Sequence, residues 1–291
     1  MRMRRQALLN LFMLLLVGAL ALVVLLGPEP DQPSPETPLG PPDLGTVTRI
    51  EVAFGAAPPL HLELAENRWR LADHPLWVLD QQLIEALLAL PRSISHARYP
   101  LSEIRPAALG LTTPRLRVRL NDAEYRFGDQ EPIRHRRYVQ IGDTVHLITD
   151  TLIHQLGPLP TDWVSRKLLP EGARVTRLTL PSADLRQDPG GTWQVTPASA
   201  SLTQERLNDF IDRWRNARAL SVSLYQPAPK AERLRIELGP QREPLIFEIV
   251  EESGSWSLQR KEPGLRYHLG AEVATRLLNP LPARKSDVPN E

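Results

Sequence analysis

The chain has 291 residues, no cysteine and a formal net charge of +1 at pH 7. The absence of cysteine excludes disulfides, thiol chemistry, thiolate metal sites and a lipoprotein anchor. Nucleic-acid-binding proteins usually carry a concentrated basic face, whereas acidic and basic residues are interleaved here, so we expect no nucleic-acid partner. The length is sufficient for about two domains.

The N-terminal segment is typical of a membrane anchor. Arg2, Arg4 and Arg5 precede residues 7–26, which are apolar except for Asn10. Twenty helical residues span roughly 30 Å, the thickness of the hydrocarbon core of a bilayer. We therefore predict that residues 1–26 form a cytoplasmic stub and one helix in a bacterial inner membrane, with the body in the periplasm. The alternative is a cleavable signal peptide, whose apolar region usually has about 7–15 residues.

Residues 27–45 form a proline-rich linker with nothing to bury. Such a composition favours extended polyproline II structure, so we expect a semi-rigid stalk of several nanometres. A docking ligand is the alternative, but the segment has no clear P-x-x-P motif with basic flanks.

The body of the chain contains an approximate internal repeat. The matches, in order, are VTRI 47–50 with VTRL 175–178, Trp69 with Trp193, RLRVRL 115–120 with RLRIEL 233–238, His146 with His268, and PLP 158–160 with PLP 280–282. They keep their order at a nearly constant offset. The sequence therefore predicts two similar tandem units at residues 46–170 and 171–285, followed by a tail at 286–291.

Alternating apolar and polar residues predict strands throughout both units. In the first unit they lie at 47–54, 60–64, 68–71, 115–120, 124–128, 137–141 and 145–149, and in the second at 175–180, 185–187, 192–195, 234–238, 245–250, 256–259 and 267–269. Short polar turns between neighbouring strands indicate antiparallel sheets.

Apolar residues at helical spacing predict one longer helix in each unit, within residues 78–90 and 203–218, with Asp80 and Thr203 as N-caps. Shorter helices are expected at 150–156 and 271–278, each stopped by a following proline. The predicted fold class is therefore α+β for both units, with helices packed on one face of each sheet.

The first unit resembles the bacterial DUF4340 domain family. The resemblance rests on the tryptophan-ended hairpin at Trp69, the Gly-Leu-x-x-Pro motif at residues 110–114, and Arg137-Tyr138-Val139 in a later hairpin. It covers residues 47–169 well and the second half more loosely, where Pro-Ala-Pro-Lys at 227–230 replaces the glycine motif. The resemblance implies a membrane-anchored envelope protein without a defined enzymatic activity, and in some members an association with ABC-2-type or gliding-type transporters. It assigns no catalytic residues.

The most suggestive polar cluster is Arg134-His135-Arg136-Arg137. Such a run can contact a phosphate, an anionic headgroup or an acidic partner. The alternative is a solvated loop that enters a strand, with its arginines facing water. On that view, replacing Arg134, Arg136 and Arg137 together by alanine leaves folding nearly intact.

We identify no catalytic, cofactor or metal site. His146 and His154 are predicted on different elements, and the sequence has no H-E-x-x-H, G-x-S-x-G, Walker or G-x-G-x-x-G motif. Trp77, Trp163 and Trp256 are candidates for a carbohydrate platform, whereas Trp69 and Trp193 are expected in the core.

Three functional classes remain open. The favoured one is a non-catalytic accessory protein that contacts a membrane-protein complex, such as an ABC-type transporter. The alternatives are a cell-wall or glycan-binding module and an uncharacterised envelope hydrolase.

Overall fold

The computed structural model describes residues 37–40, 46–150, 152–198, 202–239 and 242–280. These contain two antiparallel sheets and three α-helices. The predicted anchor at residues 7–26, most of the linker and the tail at 286–291 lie outside the described residues. Within the described ranges, no helix is long and apolar enough to cross a membrane.

The first sheet has nine strands in the order β1-β5-β9-β8-β7-β6-β2-β3-β4. Its strands are β1 (Thr37–Pro38), β2 (Arg49–Phe54), β3 (Leu60–Ala65), β4 (Arg68–Leu71), β5 (Ile94–Pro100), β6 (Leu116–Leu120), β7 (Ala123–Gln130), β8 (Arg137–Ile141) and β9 (Thr144–Ile148).

The second sheet has eight strands in the order β12-β11-β10-β14-β15-β16-β17-β13. Its strands are β10 (Arg177–Thr179), β11 (Asp184–Gln187), β12 (Trp193–Thr196), β13 (Ser221–Leu224), β14 (Glu232–Glu237), β15 (Leu245–Glu252), β16 (Ser255–Arg260) and β17 (Leu265–Leu269).

The two sheets have the same strand order once β1 is set aside. In each, three strands form a meander, a helix follows, the next strand becomes the far edge, and four more strands return to the meander. Strands β2 to β9 therefore correspond, in sequence, to strands β10 to β17.

Strand register relates individual residues of the two sheets. Trp69 pairs with Leu64, and Trp193 pairs with Gln187. Each partner donates its backbone N–H to the threonine that immediately precedes the neighbouring strand, β2 or β10. The tryptophans therefore occupy equivalent positions, as the sequence predicts.

The predicted equivalence of His146 and His268 is wrong. His146 lies opposite Val139, a residue of the apolar core, whereas His268 lies opposite Ser257 and next to the core residue Tyr267. Because side chains alternate between the two faces of a strand, the two histidines project from opposite faces of their sheets.

Helix boundaries agree with the local capping signals. In α1 (Gln81–Ala89), the Asp80 carboxylate accepts a hydrogen bond from Gln82 N, and in α2 (Gln204–Asn216) the Thr203 hydroxyl accepts one from Arg206 N. The third helix, α3 (Ala271–Leu278), has the predicted bounds.

The helix predicted at 150–156 is replaced by turns over the described residues of this segment. One carboxylate oxygen of Asp150 accepts from Leu152 N and Ile153 N, as an N-cap does. Its other oxygen accepts from Arg137, so the carboxylate fixes the end of β9 against β8. Gly157-Pro158 follows closely and stops an α-helix from continuing.

The two halves share one continuous apolar core. The segment that connects them is hydrogen-bonded to both. Trp163 C=O accepts from Asp80 N at 2.8 Å, and two residues later Ser165 N donates to Val78 O at 2.8 Å. Beyond this point Ala219 N donates to Arg166 O at 2.7 Å, just after α2. The connection therefore joins the chain before α1 to the chain after α2.

Candidate functional site

One groove of the described structure has a volume of about 2090 Å³ and is lined by residues from both halves. Strand β4 forms part of one wall, and α1 contributes Gln81, Gln82 and Glu85. The connecting segment and the loops of the second half complete the lining. The groove thus depends on how the two sheets are joined, not on either sheet alone.

Cationic side chains dominate this groove. Eight of its lining residues are arginine or lysine, and three are aspartate or glutamate. Three of the cations form ion pairs, namely Arg70 with Glu66, Lys167 with Glu171 and Arg218 with Asp80. Among the described residues, the other five have no carboxylate partner, and they are Arg68, Arg92, Arg98, Arg242 and Arg260.

The three acidic groups of the groove already have partners. Asp80 caps α1 and lies 3.5 Å from the guanidinium of Arg218. Glu171 contacts Lys167 at 3.2 Å, and Glu85 accepts from the side chain of Gln81 at 3.3 Å. A pair of carboxylates for acid–base chemistry is therefore not assembled by the described groove residues.

Arg260 lies deepest among the unpaired cations. Its guanidinium carbon is 5.6 Å from the centre of the Phe247 ring, a cation–π contact. Burial lowers the pKa of Arg260 from its ordinary value. Since this charge is partly desolvated, an anion beside it gains more than it does at an exposed arginine.

The groove also presents aliphatic side chains to solvent. Leu76 is 76 % exposed and Val78 is 68 % exposed, and both belong to the loop before α1. The same loop is fixed by Trp77, whose ring stacks on His74 at 3.8 Å and whose Nε1 donates to Pro263 O at 3.0 Å. A rigid loop therefore presents two apolar side chains beside the cations.

The predicted cluster at residues 134–137 is divided by the structure. Arg134 and His135 are exposed in the turn between β7 and β8, and Arg136 is half-buried. Arg137 is buried, pairs with Asp150 and donates through Nη1 to Gly128 O at 2.7 Å. The expectation that its side chain is exposed is wrong, because strand alternation places it on the same face as Val139.

The tryptophans do not form an open platform. Trp77 and Trp163 are buried, and their indole N–H groups donate to Pro263 O and Gly157 O. Trp256 is partly buried and packs against the core. A carbohydrate stacks on an exposed ring face, and these three rings are used in packing.

His146 is the most perturbed histidine of the described chain. The Ser95 hydroxyl donates to Ala97 O, so it accepts from Nδ1 of His146 at 3.0 Å. Burial, with a smaller contribution from the charge of Arg98, lowers the pKa of His146 to about 4. The imidazole is neutral and structural. The described residues contain no group of three or more metal-ligating side chains.

Stability should fall as the medium becomes acidic because His146 resists protonation. The unfolded side chain titrates near 6.5 and the folded one near 4, so only the unfolded chain binds a proton between these values. The contribution of His146 is complete above pH 6.5 and is lost as pH falls toward 4. We expect a loss of about 2–3 kcal/mol over this window, measured by urea denaturation.

The matched control is the exposed His135. His146→Asn, whose amide can still donate to Ser95, should flatten the pH profile, whereas His135→Asn should leave it unchanged. Equal profiles for wild type and His146→Asn would contradict the assignment.

The protein is an α+β protein of two antiparallel sheets with a cationic groove between its halves. A family model described as Domain of unknown function (DUF4340) matches residues 69–236, more than half of the chain. The chain belongs to this family, which confirms the resemblance seen in the sequence. The match runs from β4 into β14 and so includes parts of both sheets. Comparisons with curated proteins and with solved structures gave no match.

The family motif at residues 110–114 lies within the match and is structural. Gly110 has φ +67° and ends a short 3-10 turn, and a Cβ there would lie 2.7 Å from the Asp129 carboxylate. Leu111 is buried beside Gly128. The motif thus packs the loop between β5 and β6 against β7.

Proposed function

We propose that this protein is a membrane-anchored periplasmic accessory protein that acts by contact within an envelope complex, such as that of an ABC-type transporter, and has no catalysis of its own. The anchor at residues 7–26 and the proline-rich chain that follows it hold a body of two tandem α+β units away from the inner membrane. The predicted stalk is shorter than 27–45, because Thr37–Pro38 joins the first sheet as β1 and Leu39 is buried in the core.

The groove carries this proposal. Five guanidinium groups without a carboxylate partner among the described residues line it, beside two exposed aliphatic side chains, whereas its carboxylates are used for capping, pairing and hydrogen bonding. This chemistry suits recognition of an anionic surface that also has apolar groups. It does not suit hydrolysis, which needs a positioned base or nucleophile.

Two alternatives are less well supported. A glycan-binding module needs exposed aromatic faces, and Trp77, Trp163 and Trp256 are packed. An envelope hydrolase needs convergent polar groups of the kind that the described groove does not present.

The test is an affinity pull-down from detergent-solubilised membranes with the full chain, comparing the groove with the turn at residues 134–136. Arg68→Glu/Arg92→Glu changes two exposed, unpaired groove cations, and Arg134→Ala/Arg136→Ala changes the turn. We expect both variants to keep the melting temperature. Three of the four side chains are exposed, and the half-buried Arg136 has no carboxylate partner among the described residues, so each change should cost about 0–1 kcal/mol. The groove variant should lose the partner.

If the groove variant retains the partner and the turn variant loses it, the contact lies at the turn and not in the groove. A purified body that turns over a substrate, with one polar substitution abolishing turnover but not stability, would overturn the accessory role.

A further inference from the structure

The two equivalent edge strands, β4 and β12, end in different ways. At β12, the side-chain amide of Gln204 bonds the backbone of Trp193 twice. Its Oε1 accepts from Trp193 N at 2.9 Å, and its Nε2 donates to Trp193 O at 2.6 Å. The first residue of α2 thus occupies the outer edge of the second sheet as a peptide group of a neighbouring strand would.

The corresponding edge of the first sheet is unoccupied by described residues. Trp69 is the counterpart of Trp193. Leu64, which lies opposite Trp69 on β3, donates its backbone N–H to Thr48 O on the side away from β4. In an antiparallel pair, the backbone N–H and C=O of Trp69 therefore point away from β3. The first residue of α1 is also a glutamine, Gln81, but its amide donates to Glu85 at 3.3 Å. A donor and an acceptor at the β4 edge therefore lack a partner among the described residues.

This edge belongs to the wall of the cationic groove. Arg68, Trp69 and Arg70 all line it. In addition, strand β1 already pairs with β5 at the opposite edge, with Thr37 aligned to Ser95. The first sheet therefore accepts an extended segment at one edge and presents another edge beside unpaired arginines.

We propose that the β4 edge and the adjoining groove bind an extended acidic segment of a partner protein by strand addition. The peptide backbone bonds Trp69 N–H and C=O, as Gln204 does in the second half. Acidic side chains pair with Arg68 and Arg92, and apolar side chains contact Leu76 and Val78. Strand addition gives affinity through main-chain bonds and specificity through side chains.

This inference rests on the proposed contact function and specifies its ligand. An extended peptide fits better than a nucleic acid, because base stacking needs exposed aromatic faces and Trp77 is buried in the groove. A peptide also supplies the backbone donor and acceptor that complement a strand edge.

The experiment uses the full chain in detergent and a fluorescent ten-residue peptide that alternates glutamate and valine. Two further peptides carry backbone N-methyl groups at alternate residues, the first on every glutamate and the second on every valine. A fourth peptide replaces glutamate by lysine. We expect the acidic peptide to bind and the lysine peptide to fail. One of the two N-methylated peptides should bind about tenfold more weakly, because it loses the hydrogen bonds to the edge.

Protein variants locate the site. Arg68→Glu should weaken binding of the acidic peptide about tenfold or more, as loss and reversal of a charge contact imply. Arg117→Glu is the matched control, since Arg117 is exposed on β6 outside the groove, and it should leave affinity unchanged.

Three results would overturn the inference. Equal binding of both N-methylated peptides and the unmodified peptide would show attraction by charge alone, and the accessory role would stand. Tighter peptide binding after deletion of residues 27–36 would make the acidic linker of this chain the occupant. Absence of peptide binding, with a partner still captured from membranes, would reject strand addition but not the contact function.

Discussion

Replacing Arg137 by alanine is expected to lower the free energy of unfolding by about 3–5 kcal/mol, because it leaves a buried carboxylate without its cation. The side chains of Arg137 and Asp150 are 6 % and 0 % exposed. The guanidinium also donates to Gly128 O at 2.7 Å, so its removal leaves a second acceptor unsatisfied. Urea denaturation of the full chain in detergent measures the loss.

Two variants control this prediction. Arg134 lies in the turn just before β8 and is exposed, so Arg134→Ala should cost about 0–1 kcal/mol. Arg137→Lys keeps the charge but cannot form the same forked contacts, so its stability should lie between wild type and Arg137→Ala. Equal stability of Arg137→Ala and Arg134→Ala would show that the buried pair contributes nothing.

The buried position of Arg137 could have been found in the sequence. Arg137, Val139 and Ile141 alternate along β8 and so share one face, and Val139 is fully buried. The run of basic residues at 134–137 hides this alternation, because it draws four neighbours into one apparent patch. Strand periodicity is the better guide than local charge once the chain has entered a strand.

Local signals account for what the sequence predicts well. Asp80 and Thr203 cap their helices as expected, since an N-cap depends only on the next few residues. Most of the meander strands follow from alternation and turn residues. The sequence does not predict strands β1, β5 and β13, because exposed polar residues and prolines weaken their apolar pattern.

The groove could not be predicted, since its cations come from distant parts of the chain. Arg68, Arg92 and Arg260 meet only after the two sheets are joined. The same limit applies to the histidines, whose repeat in sequence conceals that they lie on opposite faces of their sheets. Sequence similarity places equivalent strands but does not fix the face on which a side chain lies.

Trp163→Ala should destabilise both halves together, by about 3–5 kcal/mol, because a large fully buried side chain is removed from the junction between them. Trp163 is 0 % exposed, and its Nε1 donates to Gly157 O at 3.0 Å. The adjacent residue, Val164, bridges to Leu79 before α1. Further along, Lys167 bridges to Arg218 after α2. Loss of packing at Trp163 therefore reaches the hydrogen-bonded connection to both units.

Coincident probes decide whether the halves are coupled. Circular dichroism and tryptophan fluorescence should give one urea transition in wild type and one transition at lower urea in Trp163→Ala. Trp163→Phe keeps most of the ring volume but removes the N–H donor, so it should cost only about 1–2 kcal/mol. Two separate transitions, with only the first shifted, would show that the halves unfold independently. The groove between the halves requires the coupled result, because arginines from both sides can act on one ligand only if the junction holds them together.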